Sequence, residues 1–566
     1  MSTSEYDAIV IGGGHNGLVN AAYLAKAGLK VLVVERRHLV GGAAITEELL
    51  PGFNFTTFSY ALSLLRPDII HELNLVEHGF MPLLMPNSFA PKEDGDYLLL
   101  TMDRDENLRE IMRHSAHDAD AMDRYEYDME RVCQLVKPLF DRVPPNPWGT
   151  SAEDADNVAW LLKHLGSAPR KVAHDLVRLL TGSAADFLDD YFESDILKGY
   201  LASSGIIGTK VGPMSQGSGL VLLFHSLGEH DSHFGAWAFH KGGNGGFTQV
   251  LSRAAQAFGA EVVLDAEVDR VITKNGRAVG VALADGTELK AKAVSSALDP
   301  RRTFTQLVDP RELPSELVEA INRYRFQGTS SKVNFALDAV PPFPALGDRF
   351  DQYRGFTNLG PSIDYLERAF DDAKYGWFSQ RPYLDCAVQS VVDPDMAPPG
   401  KHVMSCFVQY APYHLKGSDW DTERQAFGDT VQATLESFFP GFGDLVLLVP
   451  AGPDATSFAV VGQVHGLHGV GVTGPERRVG DHGEPVGAGL GTTTGPFSKV
   501  LFRSKGRQQA SLYGGAQGPF DFYSYTMLPT GYPTSYYLSG AYTLDVRTTV
   551  NGKALHAKGT ATLNCP

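Results

Sequence analysis

An apolar run, Tyr6-Asp-Ala-Ile-Val-Ile11, passes directly into Gly12-Gly-Gly-His-Asn-Gly17, and no other stretch restricts the fold as strongly. Gly12, Gly14 and Gly17 let the chain turn sharply after a strand and bring its backbone close to a diphosphate at the positive N-terminus of the next helix. Gly13, His15 and Asn16 complete that turn. The alanine-rich segment that follows predicts a helix closing at Gly28, a C′ residue placed after Lys26. A second apolar run, Lys30-Val-Leu-Val-Val34, then delivers Glu35, an acid positioned to accept both ribose hydroxyls of an adenosine. A glycine pattern alone is weak evidence. Strand, glycines, helix, strand and acid in this order form a βαβ dinucleotide-binding unit, so the expected fold class is α/β with a Rossmann-like domain.

The residues after Glu35, Arg36-Arg-His-Leu-Val-Gly41-Gly42-Ala43, resemble those of flavoproteins in the amine oxidase and phytoene desaturase superfamily. In that superfamily the diglycine turn passes close to the cofactor, where a side chain would intrude. The resemblance therefore implies FAD rather than NAD, held by Gly12, Gly13, Gly14, His15, Asn16, Gly17, Glu35, Arg36, Gly41 and Gly42. Arg36 and Arg37 could instead grip the 2′-phosphate of NADP, but Glu35 would repel that group. Superfamily members often carry arginine after the diglycine, whereas this chain has Ala43.

Segments at residues 41–52, 63–67, 217–225, 235–237, 397–403 and 409–413 resemble the pyridine nucleotide-disulphide oxidoreductase domain-containing protein 2 group, over residues 5–444. This implies a glutathione reductase-type FAD-binding domain in two segments, residues 1–75 and 215–310. A mixed α+β substrate domain is expected from residues 76–214 and 311–444, followed by a divergent, glycine-rich region over 445–566. Lys241-Gly-Gly-Asn-Gly-Gly246 opens a helix through Gln256, and strands begin at Glu261. Asn275-Gly276 and Asp285-Gly286 each separate β-rich runs, which predicts a three-stranded meander. The resemblance places a backbone contact to adenine on its first strand, at Val268.

The implied activity is FAD-dependent oxidation or desaturation of a small or lipophilic substrate, with hydride passing to flavin N5; no catalytic residue is assigned. A flavin amine oxidase is one alternative, with Trp237, Phe239, Tyr410 and Tyr413 as candidates for an aromatic cage. A non-catalytic or impaired flavin- or partner-binding protein is another. Protein partners and electron acceptor stay open.

Other signals are weaker. His225, Glu229, His230, His233 and His240 crowd together without metal-ligand spacing, so no metal is expected. Gly469-Val-Gly-Val-Thr-Gly474 lacks a preceding strand and reads as a loop, and Ser215 lacks the spacing of a nucleophile elbow. Cys133, Cys386, Cys406 and Cys565 form no Cys-x-x-Cys pair and read mostly as buried thiols rather than a redox dithiol. A net charge of −17 opposes nucleic-acid binding. The absence of a long apolar run, a basic leader or a transit pattern makes a cytoplasmic protein without an integral membrane segment the expectation. Helices are expected from Asp118, where Met122, Tyr125, Met129, Val132, Cys133 and Val136 recur every three or four residues, and after Ser151, which opens a capping box. Beyond Asp444 the resemblance fades, through divergence or a shifted reading frame near Leu445. An incomplete flavin pocket with weakened flavin affinity is the expectation there.

Overall fold

The computed structural model describes residues 5–447 except 143, 145, 231–232, 235–236, 326–327 and 348; beyond them it describes only the backbone of separate strands between 459 and 563. Gly469–Gly474, Cys565 and most of the divergent tail lie outside the described residues.

Strand Tyr6–Ile11 is buried because it is paired along both edges, parallel to Val31–Val34 and parallel to Glu288–Ser296. The complete sheet runs Glu261–Val263, Val31–Val34, Tyr6–Ile11, Glu288–Ser296, Ala278–Leu283, Val268–Thr273. Its first four strands are parallel, and the last two return antiparallel as the expected meander. Asn275 and Gly276 take φ of 52° and 68°, the backbone that a two-residue hairpin turn requires. Covered on both faces, the parallel strands are continuously apolar. Ala8, Val10, Val31 and Val33 pack on helices His15–Lys26 and Gly243–Ala257, while Ile9, Ile11, Leu32 and Val34 pack under the meander and Leu307. The first helix stops where the sequence predicts. Gly28 has φ +83°; its N–H bonds the Ala25 carbonyl at 2.8 Å, and the Leu29 N–H bonds the Leu24 carbonyl at 3.2 Å.

A second sheet of seven strands has the order Ala459–Gln463, Ser330–Leu337, His402–Gln409, Tyr383–Ala387, Phe356–Leu359, Ser88–Pro91, Tyr97–Leu100. Strand alternation sorts its side chains. One face, with Val333, Phe335, Leu384, Met404 and Val408, packs on Phe427, Val431 and Leu435 of helix Trp420–Phe438. The opposite face packs on residues 53–61. A helical block packs beside this sheet: Tyr125, Met129, Val132, Cys133 and Val136 of helix Ala116–Val136 share a core with helices Arg170–Thr181 and Ser218–His225 and with Ala90 and Leu98. Ser151 caps helix Ala152–Gly166, accepting from the Asp154 N–H at 3.0 Å. Among the described residues no helix is long and apolar enough to cross a membrane.

Candidate active site

Each glycine of the first turn answers a different demand. Gly12 has φ +95°, and a Cβ on Gly17 would stand 2.1 Å from the Gly12 carbonyl oxygen, so the turn itself excludes side chains there. A Cβ on Gly14 would meet only the Gly42 Cα, at 3.8 Å. The protein leaves room at Gly14, and glycine there keeps the backbone bare toward a ligand. The two glycine turns lie side by side: the Gly41 N–H donates to the Gly13 carbonyl at 2.9 Å, and Gly14 bridges to Gly41. His15 and Asn16 begin helix His15–Lys26, whose first turn holds no acid and is capped by no side chain. Amide donors at an uncapped helix start suit an anion.

Glu35 is buried at the base of this turn. Its Oε2 accepts the Gly13 N–H at 2.7 Å and its Oε1 the Arg37 N–H at 3.0 Å, which leaves lone pairs for two hydroxyls. Arg37 is paired with Glu47 at 2.7 Å; Arg36 and Arg302 face Glu267 at 4.0 and 3.6 Å. Burial, then Arg302, makes the Arg36 guanidinium easier to deprotonate than usual. Both arginines already have acids, which leaves a 2′-phosphate poorly served. The Glu35 N–H donates to Val263 and the Ala266 N–H donates to Glu35, at 2.9 and 2.8 Å, so the meander strand holding buried Val268 starts beside the acid. These residues fit FAD: a bare turn at an uncapped helix start for the diphosphate, and a fixed carboxylate for the ribose.

The inner face of the seven-stranded sheet holds the residues that sequence reasoning missed. A buried sheet face is normally apolar, yet this one carries Lys332, Asn334, Asn358, Asp385, Ser405 and Gln409 between Phe356 and Phe407. Lys332 is fully buried. Its Nζ has no hydrogen-bond partner and lies 3.5 Å from the centre of the Tyr60 ring. The Tyr60 hydroxyl donates to Asp385 Oδ2 at 2.6 Å, and Asn358 Nδ2 donates to Asp385 Oδ1 at 2.9 Å. Burial lowers Lys332 to about 7, and burial raises Asp385 to about 7. The Asn334 amide nitrogen is also buried without a partner. Such orphaned donors in a deep wall mark a place for a bound molecule. Tyr60 and Tyr200 beside this cluster are half-buried.

Trp237, Phe239 and Tyr60 surround Phe356 edge-on, with ring centres 5.6 to 6.3 Å apart. The expected aromatic cage is therefore corrected. Trp237 and Phe239 pack on Phe356, but the chain turns after Gln409, and Tyr410 packs on Phe370 while its hydroxyl bonds the Val211 carbonyl at 2.8 Å. Tyr413 packs on His414.

The crowded histidines are structural where described. Val221 anchors His225 at 3.0 Å, while His240 bonds the Lys241 carbonyl at 2.6 Å and accepts the Met81 N–H at 3.1 Å. Cys386 and Cys406 meet across paired strands, with Cys386 Sγ donating to Cys406 Sγ at 3.2 Å, but they point into the apolar core opposite Lys332. Burial pushes the Cys386 thiol up, away from thiolate chemistry. A cleft of about 410 Å³ beside Leu39, Thr46 and Gly242 holds Lys241, already neutralised by Asp393 and Asp395 at 2.6 and 2.5 Å. Lys332 and Asp385, whose titration burial shifts, lie outside this cleft.

Comparison with known proteins agrees with this geometry. The family described as flavin-containing amine oxidoreductase matches residues 17–441. The mouse pyridine nucleotide-disulfide oxidoreductase domain-containing protein 2 is 39% identical over 468 residues, 78% of this chain and 80% of that one. A limonene dehydrogenase polypeptide of Castellaniella defragrans is 27% identical, over 77% of this chain and 79% of its own. The fold matches the crystal structure of an oxidoreductase from Methanosarcina mazei with a TM-score of 0.51 at 16% identity, covering 90% of this chain and 95% of that one. A family match across three quarters of the sequence, on a fold with a dinucleotide turn at its centre, leads to one conclusion: the chain belongs to the flavin-containing amine oxidoreductase family and is an FAD-dependent oxidoreductase.

Proposed function

We propose that this oxidoreductase takes a hydride from an uncharged, lipophilic substrate held between the glycine turns and the inner face of the seven-stranded sheet. The observation that carries this reading is Lys332 over Tyr60 at 3.5 Å. An amine substrate recognised by an aromatic wall sits as a cation over a ring face. Here the chain's own lysine occupies that position over the Tyr60 ring and leaves no place there for a second ammonium group. Phe356 and Trp237, both half-buried, offer apolar contact. The relative named as a limonene dehydrogenase offers a neutral hydrocarbon as a sensible first probe.

In this reading Gly12, Gly13, Gly14, His15, Asn16 and Gly17 receive the diphosphate of FAD. Glu35 holds the ribose with Arg36 beside it, Gly41 and Gly42 let the cofactor pass, and the Val268 backbone meets the adenine. Bound FAD supplies the two-electron acceptor. The chain contributes a water-poor apolar chamber and a fixed orientation. Anaerobic mixing of holoprotein with limonene or related terpenes, against putrescine and other amines, tests the substrate class. The expected result is bleaching of the flavin by neutral compounds; reduction by amines alone overturns the reading.

A further inference from the structure

The inner sheet face carries more than an apolar chamber needs. Asp385 lies at the centre of an acid–phenol–amide cluster: Tyr60 donates to one of its oxygens at 2.6 Å, Asn358 to the other at 2.9 Å, and Asn358 Nδ2 also bonds the Tyr383 hydroxyl at 2.9 Å. Lys332 approaches the same tyrosine from its ring face. The groups facing Asp385 are Tyr60 from the 57–62 segment, Asn358 and Tyr383 from flanking sheet positions, Lys332 from the strand beyond, and Tyr200 from helix Asp195–Ser203. The Asp385 carboxyl and the Lys332 amine are each pushed by burial toward the neutral form.

We propose that Tyr60 and Asp385 accept the proton that the substrate gives up when its hydride leaves, with Lys332 favouring the carboxylate form of Asp385. This rests on the hydride-transfer reading above. Two bonds to hydrogen break when a saturated centre becomes a double bond. The C–H bond leaves as hydride with its electron pair, for which bound FAD would be the acceptor. The bond from hydrogen to the neighbouring carbon or oxygen leaves its pair in the new double bond; its proton passes to Tyr60 Oη while the Tyr60 proton moves to Asp385 Oδ2. Tyr60 touches the substrate, and Asp385 acts through it as a positioning residue and proton sink.

Infrared difference spectra of holoprotein, recorded as pH is raised through about 7, test this without turnover. The wild type should lose a carboxylic-acid C=O band, Asp385→Asn should lack that band, and Lys332→Met and Tyr60→Phe should each move the change to higher pH. No titrating band, or a band untouched by Asp385→Asn, overturns the proposal. So does a band whose midpoint ignores Lys332→Met. Tyr60→Phe, which removes a single oxygen, serves should Asp385→Asn fail to fold. In stopped-flow reduction by limonene, Asp385→Asn should be slower by about 100-fold with unchanged flavin content and without the wild-type pH dependence. Reduction at the wild-type rate overturns the proposal. A wild type that binds flavin and shows the band but is reduced only by amines overturns the neutral-substrate reading and leaves the proton site standing.

Discussion

Glu35 ties the glycine turn to the end of the second strand before any ribose is considered, because the Gly13 N–H ends on its carboxylate. Glu35→Ala removes that charged hydrogen bond and the ribose acceptor together. The expected cost is about 1.5–3 kcal/mol, read as lower flavin content on purification and a lower melting temperature; an unchanged flavin content would contradict the role given to Glu35. The glycines separate fold from ligand. Gly17→Ala forces a Cβ onto the Gly12 carbonyl and should reduce the yield of folded protein, whereas Gly14→Ala meets nothing closer than 3.8 Å and should fold normally while losing flavin. Circular dichroism and bound-flavin absorbance on the two variants distinguish these outcomes. Glu35 and the glycines were legible because their chemistry is local in sequence. Lys332 was not. Ser330-Ser-Lys-Val-Asn-Phe-Ala-Leu337 alternates polar and apolar residues like any strand with one wet face, and only packing against Tyr60 and Phe407 shows that its polar face is buried.

At the scale of elements, legibility followed turn chemistry. The Schellman end at Gly28, the Asn275-Gly276 hairpin and the Ser151 cap each depend on a few adjacent residues, and each formed where expected. The seven-stranded sheet draws strands from residues 88 to 463, so its order depends on pairings that local patterns do not encode. One element pair carries a pH prediction. Strand Ala238–His240 pairs with Pro82–Leu84, and His240 is locked there as a neutral ring between Lys241 and Met81. Burial lowers its pKa from 6.5 to about 4. Above 6.5 the ring is neutral in both folded and unfolded states, so it adds no pH dependence. As pH falls below that value the unfolded chain takes the proton first, and stability drains away until about 4. The loss is roughly 3 kcal/mol at most. His240→Gln should flatten the acid limb of the stability curve by about one proton; an unchanged slope would show that the ring titrates normally in the fold.

On the scale of the whole molecule, the glycine turns belong to one sheet and the polar inner face to the other, with the Tyr60–Asp385 contact spanning 325 residues of sequence. The first half of this arrangement is written in one contiguous βαβ unit. The second half becomes visible only when strands at 330, 358 and 385 stand next to one another. The measurement that bears most directly on the account is the cofactor released from purified protein by denaturation, quantified by absorbance and chromatography after incubation with FAD. FAD as the released cofactor, lost in Gly14→Ala and retained in Lys332→Met, is the predicted result. Protein that binds no FAD, or that yields a nicotinamide cofactor in its place, would contradict it.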